Sequence, residues 1–108
     1  MKWMETLRVQ TAGNRKGDAG QELSALVQDV HKSRECEGLM DLLLYSHGSA
    51  PGFFAIHLFW DTECCQIRGS LPGLSLAQTL KSFGMVDHSV WVEKKGDQAY
   101  RDFGIQRF

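Results

Sequence analysis

The chain has little of what marks the specialised sequence classes. Cysteine is scarce: Cys36, Cys64 and Cys65 are the three in 108 residues. That odd, unspaced set excludes a disulfide-built scaffold and reads as reduced thiols in a cytoplasmic protein. Neither sign of charge dominates, with 12 Lys and Arg against 13 Asp and Glu and a net charge of −1. A nucleic-acid binder that neutralises phosphates would carry a basic excess or stripe, so that class is excluded. No apolar run approaches the roughly 20 residues needed to span a bilayer. Met1 to Glu5 leads directly into strand-like sequence, without the apolar core of a signal peptide. The histidines, at 31, 47, 57 and 88, fall on different elements without zinc-like spacing, and no metal site is expected. Internal repeats and low-complexity segments are also lacking.

What remains is an ordinary globular composition, 43% hydrophobic and 23% charged, sized for a single core. Trp3 to Thr11 reads as a strand, with Leu7 and Val9 on one face and Thr6, Arg8 and Gln10 on the other. A polar loop, Ala12 to Gly17, contains the Arg15-Lys16 pair, read as solvated. A helix follows, capped by Asp18 with Gln21 in capping-box position and Glu22 in the first turn. Leu23, Leu26, Val27 and Val30 form its apolar stripe; His31, Lys32 and Arg34 lie in its last turns, and Gly38 stops it. Asp61 to Gly73 is irregular. Leu74 to Phe83 reads as a second helix stopped by Gly84, and Val86 to Glu93 as a last strand. The domain is placed at residues 1–93, with 94–108 as a polar tail dotted with Tyr100, Phe103, Ile105 and Phe108.

The most informative stretch is Gly38 to Thr62, two apolar strands hinged on His47-Gly48-Ser49-Ala50-Pro51-Gly52. Ser, Gly and Pro clustered between apolar runs are turn chemistry, so the stretch predicts a hairpin. Neither arm alternates as a half-exposed strand would; both read as covered on two faces. One short chain with two helices cannot cover both, which implies a second subunit.

The order strand, helix, strand, strand, helix, strand predicts a ferredoxin-like α+β fold. Its four-stranded antiparallel sheet has spatial order 4-1-3-2, with both helices on one face. Alternation assigns Leu7, Val9, Met40, Leu42, Leu44, Phe54, Ile56 and Leu58 to the helix side. The last strand puts Val86, Val90 and Val92 there too, with His88 inward. The open side then carries Thr6, Arg8, Gln10, Asp41, Leu43, Tyr45, Phe53, Ala55, His57, Phe59, Asp87, Ser89 and Trp91. At about 25 cal/mol per Å² of apolar area, covering such a face is worth enough to drive homodimerisation.

The element order and short length resemble the antibiotic-biosynthesis-monooxygenase superfamily. So do the apolar third strand ending in Trp60 (HLFWDT) and the last strand bearing Trp91 (HSVWVE). The resemblance covers Trp3 to Glu93. It implies a dimeric α/β barrel that encloses a hydrophobic pocket, and a hydrophobic, aromatic small molecule as partner. Some members oxidise quinol-like aromatics without metal or flavin, so no cofactor is expected; others degrade haem. Many members continue from the third strand into a helix carrying a His; DTECCQIRGSLPG has none, so no catalytic residue is carried over by motif. Two other families with this topology fit less well. The Gly52-Phe53-Phe54-Ala55-Ile56 run lacks the preceding cation of an RNA-recognition motif, and Arg8-Val9-Gln10 lacks the Gly-rich anion cradle of an acylphosphatase.

From the residues themselves, His57 is the candidate general base, an imidazole in mid-strand among aromatics. Its alternative is a hydrogen-bonded core or interface histidine. Arg8 is the candidate for holding an anion, its alternative an ion pair with Asp41 or an acid of the partner. Tyr45, Phe59, Trp60 and Trp91 are candidate ligand-binding aromatics, their alternative plain core. Cys64-Cys65 reads as two half-buried residues at a strand end. Two functions follow: a cofactor-independent monooxygenase, or a non-catalytic ligand-binding or interaction module of the same fold.

Overall fold

A computed structural model of the chain describes residues 1–12, 18–33 and 37–94. The expectations for Arg15, Lys16, Arg34, Cys36 and tail residues 95–108 lie outside these. The elements are β1 (Lys2–Thr11), α1 (Ala19–Ser33), β2 (Leu39–Ser46), β3 (Phe53–Asp61), α2 (Leu71–Leu80) and β4 (Gly84–Val92). The strands form one antiparallel sheet in the order β2-β3-β1-β4. This is the ferredoxin-like α+β arrangement. α1 packs over β2, and α2 over β4 and β1.

The alternation in β1 and β3 explains the layering. Leu7, Val9, Ile56 and Leu58 are fully buried and meet Leu23 and Val27 of α1 and Leu76 and Leu80 of α2. Each such side chain contributes about 1.5–3 kcal/mol by leaving water. Leu26 and Val30 complete the stripe of α1 from its margin. The hairpin between β2 and β3 is closed by its own chemistry. His47 Nδ1 accepts from the amides of Ser49 (3.1 Å) and Ala50 (3.0 Å), and Gly52 turns the chain at a φ of 80°.

Four local expectations are corrected. α2 begins at Leu71 rather than Leu74, because Ser70 caps it: the Ser70 hydroxyl accepts from Gly73 N at 3.0 Å, with Pro72 in the first turn. It therefore ends at Leu80, and Gly84 opens β4 instead of stopping the helix. Met40 does not meet the helices. The register breaks between Leu39 and Asp41, so Met40 is an extra, unpaired residue and is 66% exposed; a bulge re-aims the side chain it inserts. Cys65 is half-buried against the core as expected, but Cys64 is exposed.

Candidate functional site

The face of the sheet away from the helices is built by register. In its central row, Leu43 of β2 pairs with His57 of β3, His57 with Thr6 of β1, and Thr6 with Ser89 of β4. One row lies across Asp41, Phe59, Met4 and Trp91; the next across Tyr45, Ala55, Arg8 and Asp87. Much of this face is apolar, and several large side chains are open to solvent: Leu43, Tyr45, Met85 and Trp91.

His57 sits between two aromatics. Its ring centroid is 4.8 Å from that of Tyr45, with the planes tilted by 52°, and 6.0 Å from that of Phe59, edge to face. Burial among them pushes its pKa below the ordinary 6.5, because desolvation disfavours the imidazolium. Arg8 does not pair with Asp41. Its guanidinium donates to Asp87 at 3.0 Å, since β4, not β2, is the neighbour of β1 on that side. Asp41 instead accepts from the amide of Leu42 at 2.8 Å.

Three of the candidate aromatics come together. Phe59, Trp60 and Trp91 line one cavity of about 390 Å³ with Trp3, Met4 and Met40, and Lys2 and Glu93 are charged residues on its lining. The re-aimed Met40 is thus part of its wall. Arg8 and Tyr45 line a separate recess of about 100 Å³ with Phe53. His57 lines neither; it lies on β3 between them. Trp60 also faces the core, 5% exposed and stacked on Trp3 at 5.3 Å with the planes 13° apart.

A polar cluster on the helix side was missed from sequence. Glu5 is fully buried, and its carboxylate meets Trp60 Nε1 (2.9 Å), the Ser70 amide (2.9 Å), the Ser70 hydroxyl (2.5 Å) and His88 Nε2 (2.9 Å). The signal was present, because Glu5 has the same parity as Leu7 and Val9, and His88 was already placed inward. Two ionisable residues pointing inward from strands of one sheet need each other, because a buried charge must be paired. Among the described residues, no three His, Cys, Asp or Glu side chains gather as a metal site, and no helix is long and apolar enough to cross a membrane.

The element order and sheet topology define the class of the chain as a ferredoxin-like α+β fold. Among solved structures it is similar to SnoaB, a cofactor-independent oxygenase from Streptomyces nogalater, in a mutant form. The TM-score is 0.62 at 11% identity, over 87% of this chain and 94% of that one. A Deinococcus radiodurans protein provisionally named an antibiotic biosynthesis monooxygenase gives 0.62 at 20% identity, over 86% and 93%. A Mycobacterium tuberculosis protein gives 0.60 at 17%, over 88% and 97%. At these identities the likeness is one of fold. No family model and no curated protein matches the sequence.

Proposed function

We propose that the chain works as a homodimer, paired through the open face of its sheet into an α/β barrel, and binds a hydrophobic, aromatic small molecule. The observation that carries this is the convergence of Phe59, Trp60 and Trp91 with two methionines on one cavity. Its size suits a small aromatic molecule, and its walls offer flat rings and polarisable sulfur. The exposed Leu43, Tyr45 and Trp91 support the dimer, since a second sheet would remove them from water.

On this reading the activity is that of a cofactor-independent monooxygenase; SnoaB, of the same fold, is a cofactor-independent oxygenase. A substrate held by the cavity extends along the open face to His57, which takes the proton of its phenol or enol, and the anion gains carbanion character at a ring or α carbon. That carbon adds O₂, and His57 returns its proton to the peroxide so formed. Loss of water leaves a new carbonyl: a CH₂ and O₂ become C=O and H₂O, with the substrate as the only reductant. Arg8 holds the developing negative charge. The lowered pKa of His57 favours this role, because the neutral imidazole is the form that accepts a proton.

A second reading, a non-catalytic binding module of the same fold, is favoured by the absence of any hydrogen bond that would orient His57 among the described residues. Oxygen uptake with a panel of naphthols and quinols separates the two. Uptake by the wild type and its loss in His57→Ala support the oxygenase. Binding without uptake selects the module, and neither binding nor uptake overturns both.

A further inference from the structure

The cluster around Glu5 is more than the burial of one charge. Three donors and an imidazole nitrogen converge on two carboxylate oxygens: Oε2 accepts from Trp60 Nε1 and the Ser70 hydroxyl, and Oε1 accepts from the Ser70 amide and pairs with His88 Nε2. A carboxylate offers acceptors to all three donors, whereas the NH₂ of an amide would set a donor against a donor. The fit is also steric. A Cβ on Gly73 would collide with the Glu5 carboxylate, and one on Gly69 with the His88 ring.

Of these partners, Trp60 has two faces. Its indole N–H is fixed by Glu5 and its ring stacks on Trp3, and Trp60 and Trp3 are both lining residues of the cavity. We infer that Glu5 is the positioning residue of the cavity, although it does not line it. It sets the angle of the Trp60 ring and ties that wall to the cap of α2 at Ser70 and to β4 at His88. The inference rests on the proposed aromatic site, and assigns it a determinant of ligand shape on the far side of the sheet.

The test uses the intact chain, with naphthol as the probe and two independent readouts. The exciton couplet of the Trp3–Trp60 stack in far-ultraviolet circular dichroism reports ring geometry without any ligand. Glu5→Gln should abolish the couplet, while Ser70→Ala, which leaves the Trp60 bond in place, should retain it. Naphthol affinity should fall about tenfold or more in Glu5→Gln, and by a similar factor in Trp60→Phe, which keeps a ring but loses the N–H. The double variant should be little weaker than either, as expected for two groups acting as one unit. Should Glu5→Gln fail to fold, Trp60→Phe alone decides through affinity: unchanged binding there overturns the inference. An intact couplet in folded Glu5→Gln overturns it as well. If the wild type does not bind naphthol, the proposed site fails, and the couplet still decides whether Glu5 positions the ring.

Discussion

Arg8 and Asp87 face each other across β1 and β4, with 3.0 Å between guanidinium and carboxylate and more than half of each side chain exposed. An exposed pair of this kind contributes about 0–1 kcal/mol, because water screens it. Covering the same face with a second subunit would lower the local dielectric and strengthen the attraction. A double-mutant cycle with Arg8→Ala and Asp87→Ala should therefore give weak coupling in dilute, dissociated protein and stronger coupling at dimer-forming concentration. Equal coupling in both would place Arg8 outside any interface.

Association itself is open to direct measurement. Sedimentation at low micromolar concentration should show a species of twice the 12.2 kDa chain mass. Leu43→Asp or Phe59→Asp should shift it to monomer or aggregate, since an unpaired charge buried in the interface costs several kcal/mol. A clean wild-type monomer would sink the barrel.

Acid should weaken the protein through His57. Its pKa in the folded chain lies below the ordinary 6.5, so the unfolded chain binds more protons in that region. Stability present above that value is then lost as pH falls through it. Urea denaturation from about pH 7.5 down to about pH 5 should show this decline. His57→Phe, which removes the titrating group and keeps a ring, should decline less. Identical slopes would mean that His57 is not desolvated.

Gly84 tests the close approach of β4 to β1. A Cβ there would collide with the backbone carbonyl of Gln10, which has no rotamer to yield. Gly84→Ala should cost about 2–3 kcal/mol by urea denaturation, at the upper end of ordinary single substitutions. Gly48→Ala, with open space around it, should be nearly neutral.

Trp3 and Trp60 mark how far local pattern reaches. Period-two alternation in β1 and β3 was enough to assign Leu7, Val9, Ile56 and Leu58 to the core and His57 to the opposite face. Turn chemistry at residues 47–52 was enough for the hairpin, and the element order for the topology. These depend on neighbours in the chain, which the sequence displays directly. The start of α2 does not. Its Ser70 is held by a carboxylate 65 residues away, so the helix begins before its own apolar stripe would announce it. The partner of Arg8 lies 79 residues away and is fixed by which strand lies beside β1. The inward aim of Met40 was lost to a bulge that periodicity cannot reveal. The Glu5 cluster drew one donor from β3, two from the loop before α2 and the His88 ring nitrogen from β4. The sequence by itself determined the number and order of the elements, the faces of β1 and β3 and the apolar open side, because local sterics and burial settle those. Only the tertiary structure decided which polar groups meet, because strand order and register bring together residues that share no local signal.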